Sequence, residues 1–190
     1  MEYIYEAHDI VPKELCQEII EKFENDPDKT PGSIGPGIID TIKKTTDLVI
    51  YPKDAWKDIY QQLDQYLAHG LKLYCNYLYA HIYKGKDFVF RNSFAEENLN
   101  ITRFQIQRYT IGDYFNWHVD DKLGEKRLLG YIIYLNSNDG HTQFLDGKKI
   151  KPEYGKILIF PATWTYAHKG QIIKQGVKYI ITGFILERVI

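Results

Sequence analysis

Two cysteines, one methionine and a net charge of −1 remove several functional classes at once. Cys16 and Cys75 are too few for a disulfide framework, and each falls in a helix-like segment. They read as small core residues in a reducing cytoplasm. Lys and Arg number 24 against 25 Asp and Glu, and neither end carries a basic tail. The chain therefore lacks the charge for nonspecific nucleic-acid binding or for anchoring to an anionic membrane. No signal peptide is visible, no apolar run approaches a membrane span, and there is no internal repeat or low-complexity tract.

A length of 190 residues fits one domain, residues 1–190, with enough chain to bury a substantial core. Sixteen tyrosines suit strands and half-buried surfaces. The first 99 residues form a helical, supporting part. Leu15, Ile19 and Phe23 recur at four-residue spacing and predict a helix opened by Val11-Pro12-Lys13-Glu14 and running to about Asn25. Residues 26–37, with three prolines and three glycines, predict a loop. Asp47–Tyr51 reads as a short strand ended by Pro52. A second helix is expected from about Asp54 to Tyr79, with Gly70 as a possible bend.

Beyond residue 100 the period falls to two. Residues 101–109, 128–135, 156–160 and 177–188 read as strands separated by turns such as Asn138-Asp139-Gly140. Pattern alone gives an α+β chain with a β-rich core, a sandwich or barrel rather than a parallel sheet.

His118-Val119-Asp120, His168 fifty positions on, and Lys178 ten further carry the chemistry. Two imidazoles and a carboxylate are the set that holds Fe(II) on one face and leaves positions open for substrate and O2. Alternation along a strand puts His118 and Asp120 on one side, so both can reach a single ion. Lys178 lies in the apolar run Val177-Lys178-Tyr179-Ile180-Ile181. If it faces inward, an anion must meet it; the pattern leaves the solvent face equally open. His8, His69 and His81 have no motif around them, and His141 reads as an exposed turn residue rather than part of a site entrance.

The stretch Gln107 to Asp120 resembles the Y-x2-G-x-x-Y-x3-H-x-D motif of prolyl 4-hydroxylase-like oxygenases, which depend on Fe(II) and 2-oxoglutarate. Arg127 through Tyr134-Leu135-Asn136 is similar to that family's R…YLN strand. Gly140-His141-Thr142-Gln143-Phe144 is similar to its GGxTxF turn, with Asp139 in place of the first glycine. Phe160-Pro161, His168-Lys169-Gly170 and Gly176-Val177-Lys178-Tyr179 match its closing pattern. The resemblance covers residues 100 to 186.

That resemblance implies a double-stranded β-helix, a jelly-roll core over residues 100–188 backed by the N-terminal helices. It implies His118, Asp120 and His168 as metal ligands, with Asp120 favouring hydroxylation over halogenation. Lys178 would hold the distal carboxylate of 2-oxoglutarate, with Tyr109, Tyr134 and Thr142 as further co-substrate contacts and ascorbate as an accessory. Trp117 and Trp164 flank ligands and are expected to pack, or else to wall the pocket. The loops 84–98 and 121–126 are expected to shape substrate choice.

The activity implied is hydroxylation of a prolyl residue in a protein or peptide, with O2 consumed and succinate and CO2 released. Free proline or another small molecule is the nearest alternative. A nucleic-acid demethylase would show paired arginines where Lys169, Lys174 and Lys178 stand. A zinc hydrolase uses similar ligands but leaves Lys178 unexplained. A jelly roll that binds without catalysis is the remaining rival. Oligomeric state is not encoded in any motif.

Overall fold

The computed structural model describes residues 2–34, 37–86 and 99–187. Helix α1 spans Lys13–Asn25 and buries Leu15, Cys16, Ile19 and Phe23, the face set by their spacing. Helix α2 runs Lys57–Tyr77 and passes through Gly70 as helix, ending in a π-helical turn, Leu78–Ile82. Gly70 packs directly on the sheet: a Cβ there would sit 3.1 Å from Cδ1 of Ile157. Cys16 is buried and Cys75 only partly so, so just one of the two expected core thiols is one.

The strands, in chain order, are β1 (Tyr5–Ala7), β2 (Thr30–Pro31), β3 (Lys43–Lys44), β4 (Thr46–Val49), β5 (Leu99–Ile101), β6 (Gln105–Tyr109), β7 (Tyr114–His118), β8 (Arg127–Tyr134), β9 (Thr142–Phe144), β10 (Lys149–Ile150), β11 (Ile157–Pro161), β12 (His168–Gly170) and β13 (Lys178–Glu187). They form two antiparallel sheets. The larger has the order β1-β11-β8-β13-β6-β4-β2, with β5 also on β13; the smaller has the order β10-β9-β12-β7-β3. The expected strand 101–109 is thus two strands. Between Thr182↔Gln105 and Ile185↔Ile101, β13 advances three residues and its partner four, and the surplus residue breaks the ladder.

Alternation in the large sheet feeds two cores. Ile157, Ile159, Tyr131, Ile133 and Ile181 face the helices with Ile19, Phe23, Leu63 and Leu67. Leu158, Phe160, Ile132, Tyr134 and Ile180 face inward with Phe144 and Tyr109. Burying each such side chain is worth roughly 1.5–3 kcal/mol, so the helices lock one face and leave the other free to build a site. Lys178 shares the parity of Ile180 and points inward, which settles the orientation the pattern left open.

Candidate active site

A cavity of about 320 Å3 opens between the sheets, lined among others by His118, Asp120, His168, Lys178, Tyr109 and Thr142. His118 ends β7 and His168 begins β12, and the two residues pair directly in the ladder. Their ring centroids lie 4.2 Å apart. Asp120 lies two residues beyond the end of β7, so the alternation argument that placed it holds one step past the strand. Its Oδ1 is 3.8 Å from His118 Nε2 and its Oδ2 is 3.9 Å from His168 Nε2. One ligand atom from each residue lies within 4.8 Å of the others, and among the described residues this is the group suited to a metal.

The backbone fixes which nitrogen is offered. His118 Nδ1 lies 2.8 Å from the carbonyl of Asn116, and His168 Nδ1 lies 3.1 Å from that of Tyr166. A carbonyl only accepts, so each Nδ1 carries the proton and each Nε2 presents a lone pair to the centre. Burial, helped by the neighbouring His168, pushes the His118 imidazolium down to about 3, so the ring is neutral near neutrality. Burial raises the Asp120 carboxyl, while His168 and Arg127 pull it back. Two imidazoles that turn Nε2 to the centre and a buried carboxyl that a dication would ionise fit Fe(II).

A β-bulge positions His118. From His168 to Gly170, β12 advances two residues while β7 goes from His118 to Phe115, three residues away. Phe115 and His118 consequently share one side, with rings stacked 3.5 Å apart and 3° from parallel.

Lys178 is fully buried, pairs in register with Tyr109, and stands with Nζ 4.9 Å from that ring's centre. Its ammonium donates to the Gly140 carbonyl at 2.7 Å. Burial lowers its pKa to about 7. Thr142 reaches the cavity, whereas Tyr134 stands behind it and donates to Thr142 Oγ1 at 2.8 Å. Tyr109 lines the cavity, but its hydroxyl turns to Gln107 Oε1 at 2.8 Å.

Two expectations need correction. Trp117 and Trp164 neither pack nor wall the cavity: they are 43% and 72% exposed. Trp117 is held from outside by Lys169, whose Nζ lies 4.7 Å from the ring. His141 is half-buried, with Nδ1 2.8 Å from the Asp139 carbonyl, and does not line the cavity. Loop 121–126 is a tight turn closed by a Lys122–Glu125 ion pair, with Leu123 fully exposed at its tip. Of loop 84–98, residues 87–98 lie outside the described residues.

Sequence reasoning passed over Gly130, Lys43, Asp47, Gln105 and Gln107. An isolated glycine inside a strand signals close approach, and Gly130 faces Asp120. The glutamines at positions 105 and 107 alternate with Ile106, so polar side chains fall on the inward parity.

Residues 104–186 match the family model described as the 2OG-Fe(II) oxygenase superfamily. No curated protein matches the chain in sequence. Among solved structures, the viral collagen prolyl hydroxylase of Paramecium Bursaria Chlorella virus-1, in its 2OG complex, superposes with a TM-score of 0.68. It is 18% identical, and the match covers 98% of this chain and 97% of that one. A Pseudomonas putida prolyl-4-hydroxylase gives 0.71 at 14% identity, covering 99% and 94%. A Trichoplax adhaerens prolyl hydroxylase, bound to a hypoxia inducible factor peptide fragment, gives 0.73 at 13% identity, covering 98% and 84%. The fold is therefore that of the 2-oxoglutarate oxygenase jelly roll.

Proposed function

We propose, from the match of residues 104–186 to the 2OG-Fe(II) oxygenase superfamily, that this chain is an Fe(II)- and 2-oxoglutarate-dependent dioxygenase that hydroxylates a prolyl residue of a protein or peptide. The observation that carries the reading is one cavity holding His118, Asp120 and His168 together with a buried lysine. Among the described residues, that lysine has only a carbonyl for a hydrogen-bond acceptor.

His118 Nε2, His168 Nε2 and an Asp120 oxygen would hold Fe(II). When bound, the iron supplies O2 activation coupled to oxidative decarboxylation of 2-oxoglutarate, giving succinate, CO2 and a hydroxylated C–H position. The protein's contribution is positioning and dryness. Lys178, at the inner end, meets the distal carboxylate of 2-oxoglutarate, and an uncompensated buried ammonium makes that contact strongly favourable. Phe115, Phe160, Ile132 and Ile180 limit water around the reacting centre. Arg127 braces the third ligand: its Nη1 donates to the Asp120 carbonyl at 3.0 Å, while Glu125 takes its Nε and Nη2 at 2.8 Å. The prolyl assignment is supported by the likeness to three prolyl hydroxylases, one of them bound to a peptide.

Succinate release, measured with Fe(II) and 2-oxoglutarate over a panel of proline peptides, free proline and other small molecules, tests the assignment. A proline peptide should stimulate turnover and gain the mass of one oxygen on proline. Oxygen on another residue type, or stimulation by free amino acids alone, would overturn the prolyl-peptide reading and leave the iron chemistry standing.

A further inference from the structure

A chain of hydrogen bonds runs along the inward face of β6, and its direction is fixed from one end. Asp47 on β4 is buried and takes three donors. Lys43 Nζ approaches Oδ2 at 2.5 Å, Gln105 Nε2 approaches Oδ2 at 2.9 Å, and Thr45 Oγ1 approaches Oδ1 at 2.7 Å. An oxygen already bound to an ammonium is an acceptor, so the Gln105 amide must face it with its NH2 group. Gln105 therefore turns its carbonyl toward Gln107, whose Nε2 lies 3.3 Å from that oxygen and 3.3 Å from Thr182 Oγ1. The Gln107 carbonyl is left for the Tyr109 hydroxyl at 2.8 Å. A carbonyl has no hydrogen to give, so Tyr109 is the donor.

We propose that Asp47, acting through Gln105 and Gln107, commits the Tyr109 hydrogen to the protein, so that the co-substrate receives from Tyr109 no hydrogen bond. Towards Lys178, Tyr109 then offers only its ring face, 4.9 Å from Nζ. The groups left to donate to an anion at the inner end are Lys178 and Thr142. Thr142 is released for that task because Tyr134 occupies its oxygen as a donor. The hydrogen-bond chain is thus directional: Asp47, paired with Lys43, draws hydrogens along β6, and the Lys178 end is where the anion lodges. Register makes this possible, since Asp47 faces Gln107 and Lys178 faces Tyr109 across the same strand. Gln107 and Asp47 are positioning residues, because both act through Tyr109.

The inference rests on the reading of this cavity as the 2-oxoglutarate site, and its test keeps the two apart. Co-substrate affinity is measured by calorimetry on the Mn(II)-loaded protein for Tyr109→Phe, Gln107→Leu and the double variant, with melting curves to confirm folding. Without the Gln107 carbonyl, the phenol hydrogen is free to turn to the co-substrate. Removing the hydroxyl should then weaken binding at least about fivefold more in the Gln107→Leu background than in the otherwise native chain. Gln107→Met, closer in length, replaces Gln107→Leu should the latter fail to fold. Equal losses in both backgrounds, or a loss above about tenfold from Tyr109→Phe alone, would overturn the proposal. A second readout needs no ligand: the Tyr109 hydroxyl proton, identified by its loss in Tyr109→Phe, should exchange slowly in the metal-free protein and quickly in Gln107→Leu. Fast exchange in the native chain overturns the inference. Absence of 2-oxoglutarate binding alongside slow exchange overturns instead the assignment of the site.

Discussion

A Cβ on residue 130 would lie 2.7 Å from Oδ2 of Asp120, so the carboxylate occupies space that only glycine leaves open. The same Cβ would stand 3.0 Å from two ring atoms of Phe160. Gly130 sits within β8, and pressing on it from inside moves the metal ligand before it moves the strand. Groups that orient metal ligands typically govern 10–100-fold in affinity. Gly130→Ala should therefore weaken Mn(II) or Fe(II) binding at least about tenfold, while overpacking costs about 1–3 kcal/mol of stability. Metal titration followed by electron paramagnetic resonance, beside a melting curve, checks both; unchanged metal affinity would mean that Asp120 has another place to go.

Asp120 itself should be indispensable to hydroxylation. Asp120→Ala should abolish substrate oxidation, whereas the two histidines still hold metal weakly. Native protein with Fe(II) and 2-oxoglutarate, kept free of O2, should show the visible charge-transfer band of keto-acid chelation. A protein that binds neither Fe(II) nor Mn(II) through these three residues would refute the assignment of the centre.

Lys178→Ala should raise the 2-oxoglutarate requirement and leave metal binding intact. Losing one partner of a buried charge pair costs on the order of 2–5 kcal/mol, roughly 30-fold to several thousand-fold in affinity. Lys178→Arg should be milder, limited by fitting a planar fork into a space shaped for a compact ammonium. Unchanged 2-oxoglutarate affinity in a folded Lys178→Ala protein would remove the residue from the site.

Protonation of Lys178 should follow ligand binding. Burial holds its pKa at about 7 without ligand, below the usual 10.5. The unfolded chain thus binds more protons than the folded one between those values, and this residue's contribution to stability rises with pH across that window. An incoming carboxylate reverses the preference and raises the pKa. At pH 8, 2-oxoglutarate should bind with net uptake of a proton fraction, seen as calorimetric heats that vary with the buffer's ionisation enthalpy. Heats independent of buffer would contradict it.

Much of this centre was legible before the fold was. His118, Asp120, His168 and Lys178 stand out because buried charge and metal ligation restrict residue type, and they do converge. The helices were equally legible: Leu15, Ile19 and Phe23 repeat with the helical period, and α1 buries that face. The small sheet was not. Its strands are two to five residues long, too short to display a period, although β7 and β12 carry both metal histidines. The Asp47–Gln107 relation was hidden for another reason. Sixty residues separate the two positions, and only the pairing of β4 with β6 makes them neighbours. Tyr134 fell one position short of the cavity because a motif records which residues matter without recording which stands in front.

The irregularity between Phe115 and His118 is a phase shift in a two-residue rhythm. Upstream of it the strand keeps one beat, with Lys43 pairing Phe115; downstream, the beat that would send His118 to solvent sends it to His168 instead. Phe115 and His118 are three residues apart, a spacing at which strict alternation sets two side chains on opposite faces. The extra residue carried in the bulge brings both to one side, and the same residues in an unbroken ladder would turn the imidazole outward. The chemistry of this chain thus hangs on where a strand breaks step as much as on its residues, and an even ladder through this stretch would leave the metal centre one histidine short.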